Sequence, residues 1–144
     1  MSLSVLGSML ESCSQYQRLE ESVKKNRARS RAQVLSNAVP FTLSTLWHRL
    51  QQPMLVITPK PEEARRVHEQ LINWIGDESA VLHFQESEIL PFERLTSDRE
   101  TVQQRLRTLS ALANIGESAP IIVASTAAIA QKTLDKEAFT FRSH

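Results

Sequence analysis

Ile121-Ile122-Val123-Ala124-Ser125-Thr126-Ala127-Ala128-Ile129-Ala130-Gln131-Lys132 decides the fold. Its first half is an uninterrupted apolar, β-branched run, where a strand with one wet face would alternate with polar residues. Continuous burial requires cover on both faces, the situation of a parallel strand between two helical layers. Its second half offers Ser125 and Thr126 as helix caps, and a short helix is expected over about 127–134. Outward from this run, Met54-Leu55-Val56-Ile57-Thr58 and Val81-Leu82-His83-Phe84 read as strands of the same kind, and Ala32-Gln33-Val34-Leu35 as a brief first one.

Helical patterns separate these strands. Leu43, Leu46, Trp47 and Leu50 fall at i, i+3, i+4 and i+7, with Pro40 near the first turn, where its missing N–H costs nothing. Ala64, Val67, Leu71, Trp74 and Ile75 repeat the pattern, opened by Pro61-Glu62-Glu63 and stopped by Gly76. Ser97 and Glu100 form a capping box for a third helix, with Val102, Leu106, Leu109 and Ala113 as its apolar stripe and Gly116 as its stop. Four alternations of strand and helix predict an α/β fold, a three-layer parallel sheet with helices on both faces.

Upstream, Leu3, Leu6, Leu10, Cys13, Leu19 and Val23 draw one amphipathic helix. It runs into Lys24-Lys25-Asn26-Arg27-Ala28-Arg29-Ser30-Arg31, where five of eight positions are basic. Residues 1–31 are therefore expected to form a helix and basic connector, and residues 32–144 the α/β lobe. The amino terminus lacks the pattern of a secretory signal and no apolar run would span a bilayer, so a cytoplasmic protein without membrane attachment is expected. The chain stops just after Phe139-Thr140-Phe141, an ending that reads as a cut from a longer chain.

Composition narrows the chemistry. The 144 residues carry 17 Lys and Arg against 16 Asp and Glu, so a nucleic-acid contact would have to be local: Lys24, Lys25, Arg27, Arg29, Arg31 and Lys60 are the candidates. The 3 glycines stand alone at Gly7, Gly76 and Gly116, too far apart for a phosphate-cradling loop. The turn Ser36-Asn37-Ala38-Val39-Pro40-Phe41-Thr42-Leu43-Ser44, where a P-loop would follow the first strand, has neither Gly nor Lys. The single cysteine, Cys13, excludes an internal disulfide, and His48, His68, His83 and His144 are spaced too widely for ligation from one element, so no metal and no cofactor is expected. Glu86, Glu88 and Glu93 read as solvated loop acids, and Arg99, Arg105 and Arg107 as a charged outer helix face. No catalytic residue emerges.

Leu90-Pro91-Phe92-Glu93-Arg94-Leu95, followed by Gln104-Arg105-Leu106 and Leu109, resembles a segment of the bacterial transcription-repair coupling factor family (Mfd) usually written L-P-Y-D and then Q-R-L or S-R-L. Leu55-Val56-Ile57-Thr58-Pro59 with Pro61-Glu62-Glu63-Ala64, and Ile122-Val123-Ala124-Ser125 with Ala130-Gln131-Lys132, are similar to flanking stretches of that family in the same order. The resemblance covers roughly residues 30–135. It implies the first part of the family's amino-terminal UvrB-like module, a degenerate, helicase-like P-loop NTPase lobe that has lost its phosphate loop. The whole protein would then be an ATP-dependent DNA translocase that displaces stalled RNA polymerase and recruits UvrA in nucleotide excision repair. Its partners, besides the other domains of the parent chain, would be UvrA, RNA polymerase and DNA, engaged through the full-length protein. This portion would carry no activity of its own: Ser36–Ser44 departs from the UvrB pattern at every glycine and at the lysine, 85–97 is too short for a damage-probing hairpin, and the UvrA-contacting insertion would follow Phe139–His144. Two alternatives stand beside it, a DNA-backbone-binding α/β module and a nucleotide hydrolase lobe with an atypical phosphate loop.

Overall fold

The computed structural model describes residues 3–25, 29–86, 99–114 and 119–133. Three strands, β1 (Met54–Thr58), β2 (Val81–Phe84) and β3 (Ile121–Ser125), form one parallel sheet in the order β1-β3-β2. Met54 to Thr58 pair in step with Ile121 to Ser125, and Val81 to Phe84 with Ile121 to Ala124. The last strand in sequence is thus the central one, and all five of its residues are buried. This is the condition its continuous apolar run demanded.

Successive side chains of β3 point to opposite faces, so each face has its own core. Ile121 and Val123 join Val81 and Ala64, Val67 and Leu71 of α4 (Pro61–Ile75), with Leu43 and Trp47 of α3 (Val39–Leu50) packed against them. Ile122 and Ala124 join Phe84, Leu109 of α5 (Arg99–Ala113) and Ala128 of α6 (Thr126–Ala130) on the other face. Helices therefore lie on both faces of the sheet. The second layer is incomplete over β1, where Leu55 and Ile57 are 55% and 51% exposed.

The helix boundaries follow local chemistry. Pro61 opens α4 with Glu62 and Glu63 at its positive end, and Gly76 closes it at φ 76°, its N–H donating to the Ile72 carbonyl. Pro40 lies in the first turn of α3, and Gln51 ends that helix in the left-handed region at φ 48°. Trp47 Nε1 donates to the Ala119 carbonyl at 2.6 Å, fixing α3 to the entry of β3. Rings of Phe41 and Trp74, 4.7 Å apart, join α3 to α4.

Several expectations are corrected. Residues 32–35 form no strand: Leu35 is 82% exposed, and a short 3-10 turn, Ser36–Ala38, leads directly into α3. One apolar pair flanked by Arg31, Gln33 and Ser36 buries too little to hold a strand in a sheet. The amino-terminal helix is two, α1 (Leu3–Glu11) and α2 (Ser14–Lys24), broken at Ser12-Cys13, where half-buried Cys13 is extended and its thiol donates to Gln15 Oε1. The last helix ends at Ala130 and residues 131–133 are not helical. On α5, Val102 and Leu106 are exposed, while Thr108 is buried and Arg105 half-buried against the sheet. Ser97 of the capping box, the Gly116 stop, Arg27, Glu88, Leu90, Pro91, Phe92 and Glu93 lie outside the described residues.

The amino-terminal helices pack on the lobe. Tyr16 is buried, and the Glu20 carboxylate accepts from Lys24 on its own helix and from Arg49 Nε of α3 at 3.5 Å.

Candidate functional site

Ligands of open α/β sheets bind beyond the carboxyl ends of the strands. That edge is built here from three turns. After β1, Thr58 Oγ1 donates to the Lys60 carbonyl at 2.9 Å, a tight turn that delivers the chain into α4. After β3, Ser125 caps α6: its Oγ accepts from the Ala128 N–H at 3.0 Å and donates to Glu86 Oε2 at 2.8 Å. Thr126 Oγ1 donates to the Pro59 carbonyl at 3.0 Å and ties the first turn to the third. After β2, the Gln85 carbonyl accepts from Arg105 Nη1, which also donates to Gln131 Oε1 at 3.4 Å.

Arg105 is the hub. Its guanidinium lies 4.1 Å from the centre of the Phe84 ring, a cation–π contact that lets a charged side chain face the core layer. Burial pulls its pKa below the ordinary arginine value, and nearby Glu86 acts in the opposite sense. Glu86, expected among solvated loop acids, is half-buried and bonded to Ser125. The edge is thus a lattice of internal hydrogen bonds. Ser125, 1% exposed, spends its hydroxyl on a cap and a carboxylate, and among the described residues no imidazole or amine base is bonded to it.

The sequence-predicted contacts disperse. Lys24 and Lys25 are engaged by Glu20 and Glu21 one turn away on α2. Arg29 and Arg31 are exposed in a stretch without regular secondary structure. Lys60 is exposed at the start of α4, with Glu62 and Glu63 in the turn after it. Gln104 and Leu106 lie on α5, where Gln104 Nε2 reaches Glu100 Oε1 at 3.5 Å and Gln104 Oε1 is buried with no hydrogen-bond partner among the described residues.

A second concavity, about 800 Å³, runs along β2 between α4 and α5. The rings of His68 and His83 stack in it at 5.1 Å. His68 Nε2 donates to the Val81 carbonyl at 3.2 Å, and His83 Nδ1 accepts from Gln85 Nε2 at 3.2 Å. Burial, with His68 beside it, pulls His83 down to about 4. Sequence spacing hid this pair, because the two residues come from a helix and the strand it packs on. Among the described residues no three His, Cys, Asp or Glu side chains converge as a metal site would require. No helix among them is long and apolar enough to cross a membrane.

No family model matches this chain, and no curated protein or solved structure matches it either.

Proposed function

We propose that this chain is a catalytically silent scaffold lobe, the first part of the UvrB-like amino-terminal module of a bacterial transcription-repair coupling factor. In the whole protein, a DNA translocase that displaces stalled RNA polymerase and recruits UvrA in nucleotide excision repair, the lobe supports neighbouring domains. The observation that carries this reading is the bond from Arg105 to Gln131. Gln104-Arg105-Leu106 and Ala130-Gln131-Lys132 are two of the segments on which the resemblance rests, and they meet at the strand ends where a nucleotide-binding lobe would keep open space. The turn at Ser36–Ser44 supports the same reading, since its amides lead through a 3-10 turn into a helix with Pro40 buried in the first turn.

Isothermal titration of the 144-residue chain with magnesium ATP tests it. No binding is expected at millimolar nucleotide; micromolar affinity would overturn the lost-site reading and favour the hydrolase alternative. The DNA-binding alternative rests on Lys24, Lys25, Arg27, Arg29, Arg31 and Lys60, of which Lys24 and Lys25 also pair with Glu20 and Glu21. A salt series on duplex DNA separates it: a steep log–log slope supports phosphate contact and a flat one excludes it.

A further inference from the structure

Among the described residues the three-stranded sheet has two outer edges, and they differ. Along β2 the outward groups are taken. The Val81 N–H donates to the Glu78 carbonyl, the Val81 carbonyl accepts from His68 Nε2, and the Gln85 carbonyl accepts from Arg105. Among the described residues, the peptide groups of His83 remain between them. Side chains that occupy an edge in this way block strand addition.

The outer edge of β1 has no such guard. In a parallel strand the N–H and C=O of one residue point to the same side, and successive residues alternate. The Met54 N–H donates to the Pro120 carbonyl on the β3 side, so Met54, Val56 and Thr58 bond inward while Leu55 and Ile57 turn their backbone groups outward. Among the described residues no side chain bonds to the backbone of either. The same two residues carry the half-exposed side chains on the bare face. Beside them an apolar hollow of about 230 Å³ is lined by Pro53, Leu55, Leu112 and Ile129 and by no charged residue.

We propose that β1 pairs antiparallel with β1 of a second copy of this chain, about a two-fold axis at Val56, to make a continuous six-stranded sheet. The register follows from the free groups. Centring on Val56 places Leu55 opposite the second copy's Ile57 and Ile57 opposite its Leu55, the two residue types whose N–H and C=O are available to exchange. Both pairs then fall on the bare face as cross-strand apolar contacts, which stabilise antiparallel pairing. The contact is isologous and closes at two copies. Leu55, Ile57, Leu112 and Ile129 are each about half exposed, and four such side chains fall short of the roughly 800 Å² per partner of a stable interface. The dimer is accordingly weak and concentration-dependent.

Sedimentation velocity on the 144-residue chain between about 10 µM and 1 mM reads this directly. The expected result is a shift from monomer to dimer across that range, abolished in Ile57→Lys and in Leu55→Lys, whose half-exposed positions tolerate lysine without loss of the fold by circular dichroism. Amide exchange gives an independent readout: Leu55 and Ile57 gain protection as concentration rises and His83 does not. A monomer throughout overturns the proposal. So does a dimer that survives both lysine variants, or one lost instead when Leu6 and Met9, two exposed apolar residues of α1, are changed to lysine.

Discussion

Arg105 on α5 donates to Gln131, just past α6, with Nη1 3.4 Å from Oε1, while its guanidinium covers the Phe84 ring of β2. One side chain thus ties two helices of the second layer, α5 and α6, to β2 of the sheet at the strand ends. A charged residue can do this at low cost because its planar face is weakly hydrated and rests on an aromatic surface.

Arg105→Ala should destabilise the lobe by about 2 kcal/mol, combining the lost cation–π contact with an unpaired Gln85 carbonyl. Arg105→Lys should recover less than half, because an ammonium cannot lie over the ring and bond two oxygens as a fork does. Urea unfolding of both variants checks it, and equal stability of Lys and wild type would refute the hub role.

Ser125→Ala removes a helix cap and leaves Glu86 without its donor. A loss of about 1–2 kcal/mol is expected, larger than the cap alone, because a half-buried carboxylate loses a hydrogen bond. Combining Ser125→Ala with Glu86→Ala should cost less than the sum of the two single changes, and additivity would show that the contact contributes nothing.

His83 gives the fold a defined pH response. Its folded pKa, near 4, lies below the ordinary histidine value of 6.5, so the unfolded chain binds more protons between those values. Stability should therefore be complete above about pH 6.5, fall as pH drops toward 4, and level off below. Solvent screening of a partly exposed ring limits the effect to on the order of 1–2 kcal/mol. In His83→Asn the slope between pH 6.5 and 4 should flatten; an unchanged slope would refute the assignment.

Glu20 controls the attachment of the amino-terminal helices. The hydrogen bond from Lys24, with Lys24 and Arg49 charge behind it, holds its carboxyl below the ordinary value against the opposing effect of burial. A depressed carboxyl stabilises above its unfolded pKa, and that contribution disappears as pH falls below about 4.5. Glu20→Gln should cost about 1 kcal/mol at neutral pH and remove the difference in acid. Limited proteolysis should release α1 and α2 faster in this variant, and unchanged cleavage would show that Glu20 does not hold them.

Burial on two sides was readable where the chain wrote it continuously, as at Ile121–Ala124. The same run at Met54–Ile57 misleads, because an apolar pattern records what could be covered and the described residues cover β1 on one face only. Cap and stop residues such as Pro61, Gly76 and Ser125 located helix ends because their effects are local. Arg105 was invisible for the opposite reason: a helical wheel assigns charge to water, and only the Phe84 ring, distant in sequence, makes an inward guanidinium favourable. The Ser125–Glu86 and His68–His83 pairs likewise join residues whose closeness is a product of tertiary packing.

The central position of β3 has a consequence for how the chain acquires its fold. β1 and β2 touch only through β3, so neither has a strand partner until Ile121–Ser125 arrives. During synthesis, α1 to α5 can be made and can collapse as helices, yet no sheet can form among these strands before the last of them emerges. Folding is then governed by late, non-local pairing, which makes it slow for a domain of this size and leaves the apolar β1 and β2 segments waiting in the nascent chain.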